Sequence, residues 1–182
     1  MATAFAPGKC ILFGEHAVVY GHPAVAVAID AGVEVKLETS DKWEIKNDHY
    51  SNNFEEFQAS KNPHIQYIIR NVFDYNGPPL KIKIESNLFS SAGLGSSAAL
   101  SNAMGAALHQ LINPEDEINL IKLAKIGHSA EASAQEGRAS PTDSATSSLG
   151  GCVVVSGEKD EHLNHVFDTS LITPEGNREW SI

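Results

Sequence analysis

The sequence predicts an α+β domain. Two observations carry this: strands and helices alternate along the chain, and the first strands follow one another closely enough to pair antiparallel. The runs at 10–13 and 24–29 are short and apolar, and Val33, Val35 and Leu37 then alternate with charged residues. Together they read as a small antiparallel sheet. From Trp43 to Asn62 the chain is polar and rich in Asn, Glu and Ser, which predicts loops around short strands. Pro63 can open a helix whose apolar positions Ile65, Ile68, Ile69, Val72 and Phe73 recur at helical spacing, and Gly77, Pro78 and Pro79 end it. Leu80, Ile82 and Ile84 alternate with Lys81, Lys83 and Glu85 as in a half-buried strand. Leu100, Met104, Leu108 and Leu111 then fall on one helical face, with small Ala98, Ala99, Ala103, Ala106 and Ala107 permitting close packing. A further helix is expected from an Asn113 N-cap and Pro114 to about Ala134, with Glu115, Asp116 and Glu117 at its positive dipole end. The stretch 137–148 reads as a loop or short helix and 151–155 as a strand, so the expected domain spans 1–156, and 157–182 is a polar tail or linker.

Composition narrows the class of function. The 13 basic and 23 acidic side chains among 182 residues give a net charge of -10, which argues against nucleic acid or an anionic membrane as a partner. Small-molecule partners fit better. Cys10 and Cys152 are too few for a disulfide scaffold and form no Cys-x-x-Cys pair, so a reducing cytoplasm is expected. The sequence opens with no basic-then-apolar leader, and its apolar runs fall short of the roughly 18 residues a membrane span needs.

The stretch SSAGLGSSAALS, from Ser90 to Ser101, carries the first chemical signal. Gly93 and Gly95 let the backbone approach a ligand closely, and Ser96 and Ser97 place hydroxyls where a helix begins with unpaired amides. That arrangement suits a phosphate, and a serine there can ligate the magnesium ion that accompanies ATP. A tight turn with a serine cap and no ligand is the plain alternative. A Walker loop is excluded, because no lysine lies between Lys83 and Lys122. A dinucleotide fingerprint fits poorly: six residues separate Ser86 from Gly93, and the acids at 115–117 open a predicted helix.

At the N-terminus, APGKCILFGEHAVVYGHPAVAVAI (Ala6 to Ile29) sets Lys9 just before a short strand and Gly14, Glu15 and His16 just after it. With GLGSSAALS and SPTDSATSSLGG (Ser140 to Gly151), in that order, this stretch resembles the GHMP family of small-molecule kinases. Within the family, GEHAVVYGHPAVA is most similar to the branch that phosphorylates mevalonate, in its archaeal form. Three motifs in sequence make the resemblance specific, over roughly residues 6 to 151.

The resemblance implies an N-terminal domain with a left-handed βαβ crossover, against the usual right-handed rule, and a second α/β domain that closes the cleft. It implies ATP and mevalonate as substrates, Mg2+ as cofactor, a place in isoprenoid synthesis, and often a homodimer. Carried over, Ser91, Ala92, Gly93, Leu94, Gly95, Ser96 and Ser97 form the ATP-phosphate loop, with Ser97 as a Mg2+ ligand. Asp143 takes the proton of the substrate hydroxyl, Lys9 stabilises the attacking oxygen, and Glu15 and His16 shape the substrate pocket beside Asp143. An N-cap role is the structural alternative for Asp143, a surface position for Lys9, and an interior residue for His16. The remaining histidines lack the spacing of a zinc site.

Three departures qualify the match. The second Mg2+ ligand of the family is a glutamate upstream of the aspartate; here both Glu131 and Glu136 offer themselves at irregular spacing, and Glu131 is preferred because a helix would turn it towards the loop. Phe89, Ser90 and Ser91 stand where a proline and glycine normally lead into the loop. Beyond Gly151 only Gly157 and Gly176 remain, so the glycine-rich motif of the C-terminal domain is missing, and that domain is expected to be absent. An interface left without it should expose apolar surface. Besides the mevalonate reading, the motifs allow a GHMP kinase for phosphomevalonate or a sugar, or an inactive nucleotide-binding fragment.

Overall fold

A computed structural model describes residues 1–15, 17–47, 51–54, 62–89, 92–135, 139–156 and 169–172. Two long strands, β1 (Ala2–Phe13) and β2 (Ala24–Thr39), form its backbone, linked by a 3-10 turn at Ala17–Tyr20. They are followed by β3 (Trp43–Lys46), β4 (Ser51–Phe54), α1 (Pro63–Tyr67) running into a π turn at Ile68–Val72, and β5 (Leu80–Ser86). Then come α2 (Ser96–Ile112), α3 (Leu120–Ala134), α4 (Pro141–Leu149), β6 (Cys152–Val155) and β7 (Thr169–Ile172). The sheet runs β4-β3-β5-β2-β6-β7, with β1 paired to β2. Only β3 and β5 are parallel, so the α+β expectation holds.

β2 explains most of this topology. It is long enough to pair β5 through Val33–Thr39 and β6 through Ala24–Val27, while β1 covers its other side. The apolar pattern predicts β1 only from Cys10, yet the strand runs back to Ala2, opposite Leu37. Its early residues are small or interrupted by Pro7, so strand pattern is faint there, and pairing with the strongly alternating Val33-Val35-Leu37 face decides the conformation. The β1–β2 register shifts between Pro7 and Lys9, a local irregularity beside the residue that matters most for chemistry.

The helices cover one face of the sheet. Val33, Val35 and Leu37 of β2, with Leu80 and Ile82 of β5, pack against Ala99, Ala103, Met104, Ala107 and Leu108 of α2 and Ile65, Ile68 and Ile69 of α1 and its π turn. Met104 and Leu108 are fully buried as expected, whereas Leu100 and Leu111 are only partly so. The deepest face is the alanine side, together with Ser101 and Asn102. A helix wedged between a sheet and two neighbouring helices must be small wherever it is closest to them.

Asn113 does not cap the third helix. Its amide bonds the His109 carbonyl at 2.8 Å and closes α2, and residues 114–119 are turn and loop. The cap is Asn119, whose side chain accepts from the Lys122 amide at 3.0 Å. Glu115, Asp116 and Glu117 have no apolar partner to bury, so the helix starts where Leu123, Ala124 and Ile126 supply an inner face. We expect Asn119→Ala to cost about 1 kcal/mol of stability in urea unfolding. Asn113→Ala should cost clearly less.

The outer face of the sheet divides in two. On one half Lys36 pairs with Glu34 and Glu85, and Lys83 with Glu85, at 2.6 to 2.9 Å. Those lysines hold the Glu85 carboxyl down to about 2. On the other half the cross-strand rows are apolar: Phe13, Val25 and Val154 in one, Cys10, Val27 and Cys152 in the next. Val153 and Val155 point the other way, onto Ala145 and Leu149 of α4. Phe13 is 72% exposed, so apolar surface lies open on this half. Both cysteines are free. Among the described residues no helix is long and apolar enough to cross a membrane.

Candidate active site

Four elements converge at the N-terminal end of α2. β1 brings Lys9, the loop before α2 brings Leu94 and Gly95, α3 brings Glu131 and α4 brings Asp143. Lys9 is only 6% exposed, which removes the surface-lysine alternative, and its Nζ lies 3.2 Å from Asp143 Oδ1. The Lys9 amide also donates to the Leu94 carbonyl at 2.9 Å, tying strand to loop. Asp143 is not an N-cap. Ser140 occupies that position, Pro141 opens the helix, and Asp143 lies in its first turn.

Gly95 makes this convergence possible. Its φ of 72° is left-handed, a conformation glycine adopts without strain. A Cβ there would stand 3.0 Å from Lys9 Cγ and 3.8 Å from Asp143 Oδ2. The bare backbone therefore passes directly beside the ion pair. Immediately afterwards α2 begins with no side-chain cap on its first-turn amides, which remain available to an anion. Ala92 and Gly93 are exposed in front of it and Ser96 is exposed on the first turn.

Glu131 forms a second centre. It is 3% exposed, and its carboxylate receives two hydroxyls: Ser97 donates to Oε1 at 2.6 Å and Ser144 to Oε2 at 2.8 Å. Burial raises its pKa above the usual carboxylate range, with the two serine hydrogen bonds and Lys9 opposing and Asp143 adding to the rise. Burial likewise raises Asp143, against the pull of Lys9 and a hydrogen bond with Ser140, while Glu15 pushes it further up. Two buried acids with raised pKa values, one facing a lysine and one facing two hydroxyls, form a site able to take a proton and to meet a cation.

Ser97 and Glu131 are the oxygen donors a magnesium ion would meet here. One carboxylate and the Ser97 hydroxyl are hard oxygen donors, and magnesium completes its shell with water and phosphate oxygens rather than an all-protein cage. These residues fit. Among the described residues no cluster of three or more His, Cys, Asp or Glu could hold a metal without such help.

The structure therefore brings together Lys9, Leu94, Gly95, Ser97, Glu131 and Asp143, and sets Glu15 near enough to act on Asp143. His16, Ser91 and Glu136, also singled out from the sequence, lie outside the described residues. Ser144 and Asn102 escaped sequence reasoning. Asn102 donates from Nδ2 to the Ser144 carbonyl at 2.8 Å and is fully buried. The available signal was an asparagine in the middle of an alanine-rich helix, where a large polar side chain needs a reason.

Residues 63–151 match the family described as the GHMP kinases N terminal domain. The chain carries a GHMP kinase N-terminal domain. The mevalonate kinase of Thermococcus onnurineus (strain NA1) is 34% identical over 180 residues, covering 88% of this chain and 53% of the relative. The mevalonate kinase of Archaeoglobus fulgidus is 37% identical over 150 residues, 81% of this chain and 50% of the relative. The crystal structure of the Methanococcus jannaschii mevalonate kinase superposes with a TM-score of 0.78 at 28% identity, covering 95% of this GHMP chain and 56% of that one. The chain spans about half the length of the curated relatives it matches.

Proposed function

We propose that this GHMP domain binds MgATP and transfers its γ-phosphoryl group to the hydroxyl of mevalonate. The observation that carries the reading is the Lys9–Asp143 pair set against the open backbone of Gly95 at the mouth of α2. The mevalonate kinases that match over more than four fifths of this chain supply the acceptor.

The phosphates of ATP lie on the first-turn amides of α2 and the loop Ser91–Ser97, where dipole and unpaired N–H groups favour negative charge. Ser97 and Glu131 would hold magnesium, which would neutralise charge on the phosphates when bound. The Asp143 carboxylate accepts the proton of the mevalonate hydroxyl as its oxygen attacks the γ-phosphorus. The bond from that phosphorus to the bridging oxygen breaks, and ADP leaves. A carboxylate whose pKa is raised by burial is a better base than an ordinary one. Lys9, 3.2 Å from Asp143, stabilises the attacking oxygen. Phosphoryl transfer needs positioning and charge more than covalent chemistry, and this kit supplies both. Glu15 and His16 contribute to the acceptor pocket, the solution compartment is the cytoplasm, and the product enters isoprenoid synthesis.

The test is ADP formation by the 182-residue chain with Mg2+ and ATP, with and without mevalonate, alongside calorimetric titration with MgATP. Mevalonate-dependent turnover is the expected result. Turnover with phosphomevalonate or a sugar alone would replace the acceptor. A second reading is favoured by the span of about half the relatives' length: nucleotide bound without turnover would make this chain the nucleotide-holding half of a kinase.

A further inference from the structure

The three helices that carry the site meet at one buried asparagine. Asn102 on α2 lies about 1.4 turns after Ser97, and its Nδ2 donates to the carbonyl of Ser144, the neighbour of Asp143 on α4. Its Oδ1 is turned to α3, against Gly127. A Cβ at Gly127 would fall inside the van der Waals shell of that oxygen and stand 3.0 Å from Asn102 Cγ. Gly127 lies four residues before Glu131, so glycine and carboxylate share a face of α3. The same Ser144 whose carbonyl Asn102 holds gives its hydroxyl to Glu131, and Glu131 receives Ser97 from α2. The links close a ring: Ser97 to Glu131, Glu131 to Ser144, Ser144 to Asn102, and Asn102 back along α2 to Ser97.

Two features of the ring are costly unless they serve a purpose. A glycine inside a helix is unfavourable relative to alanine, and Gly127 lies well within the Leu120–Ala134 helix. A fully buried amide in an alanine-rich helix also carries a desolvation cost, and Asn102 Oδ1 meets no donor among the described residues. An apolar contact between these helices would have been cheaper. What the asparagine adds is a directional link to a particular carbonyl on α4.

We propose that Asn102 is a positioning residue that sets the height of α4, and so of Asp143, against the phosphate-binding end of α2, and that Gly127 is glycine to leave Asn102 its place. Mutual exclusion at Gly127 makes the two positions one unit. Removing the amide loosens α4, and adding a methyl group at Gly127 displaces the amide and has the same effect. The catalytic half of this inference rests on the kinase reading, but the structural half does not.

The experiment is a double-mutant cycle of Asn102→Ala, Gly127→Ala and the pair, read by urea unfolding and by amide hydrogen exchange. Gly127→Ala alone should raise the unfolding equilibrium constant about tenfold or more, the usual scale of overpacking. In the Asn102→Ala background the same change should be neutral or stabilising, as alanine in a helix normally is. Exchange of the amides from Ala145 to Ser148 should rise about tenfold in each single variant relative to those of α2. Leu108→Ala, a core truncation on the same helix, should leave that ratio unchanged. If mevalonate-dependent turnover is present, Asn102→Ala and Gly127→Ala should each lower kcat with little change in KM for ATP, and the pair should be no worse than either.

Additive stability effects, or an exchange ratio no different from that of Leu108→Ala, would overturn the proposal. If Asn102→Ala does not fold, Gly127→Ala still reads α4 exchange with the amide present, and an unchanged ratio there has the same consequence. Coupling and exchange as expected in a chain that neither binds nor turns over ATP would leave the ring standing and remove the kinase reading.

Discussion

Asp143→Asn is expected to lower mevalonate-dependent ADP formation by 10²- to 10⁴-fold, the usual contribution of a positioned general base. The substitution keeps the shape of the side chain and removes its charge together with its capacity to take a proton, while the α2 amides that face the phosphates are untouched, so KM for ATP should change little. Lys9 stays in place, 3.2 Å from where Oδ1 stood. Asp143 is the counter-ion of the buried Lys9, so the neutral amide leaves that charge without its partner and a loss of stability is expected beside the loss of rate; urea unfolding of the variant separates the two. A folded variant that keeps more than about a tenth of the rate would remove Asp143 from the chemistry and leave the amides and Lys9 as the whole of it. The acid limb of the pH–rate profile offers a second check. In the native chain that limb should lie above the ordinary carboxylate range, and any activity remaining in Asp143→Asn should have lost it.

Much of this site was legible before any coordinates, because the motifs are local. Gly95, Ser97 and the start of α2 follow from one stretch of chain, and Lys9 and Asp143 each lie in a short motif of their own. What the sequence could not show is depth. Lys9 reads like any lysine beside a Pro-Gly turn until the sheet and α4 close over it. Glu131 is one of two glutamates five residues apart, and it is the turn of α3 towards Ser97 and Ser144 that sets it in the site. The loops and caps were less legible for a related reason. Asn113 and Asn119 are equally good caps by composition, and the choice between them falls to where α3 can bury an inner face against α2. The same holds for Asn102, whose role depends on two helices that follow it in the chain.

Glu131→Gln should separate binding from stability. In the nucleotide-free chain Glu131 is buried with its pKa raised, chiefly by that burial. The folded state therefore holds a proton that the unfolded state releases at ordinary carboxylate pH. The stabilising contribution of this group is complete below the unfolded pKa and is lost as pH rises through the folded one, so at neutral pH the charge is a net cost. Glutamine removes the charge and can still accept a hydroxyl at its oxygen, though its amide offers a donor where the second serine needs an acceptor. We expect the variant to be more stable than the native chain at pH 7, by about 0.5–2 kcal/mol, the scale of relieving a strained functional site. The difference should shrink as pH falls into the ordinary carboxylate range. His64, whose pKa burial lowers, works in the opposite sense: it costs stability as pH falls below its unfolded value, so the difference between variant and native chain is the informative quantity. The same substitution should cost at least about 10²-fold in kcat at fixed Mg2+, since a neutral amide is a poor partner for a hard cation. Urea unfolding of both chains from pH 5 to 8 tests the first half and a magnesium titration of ADP formation tests the second. A Glu131→Gln chain that is less stable at pH 7 would show that the ties from Ser97 and Ser144 outweigh the buried charge. One with unchanged magnesium dependence would move the cation elsewhere.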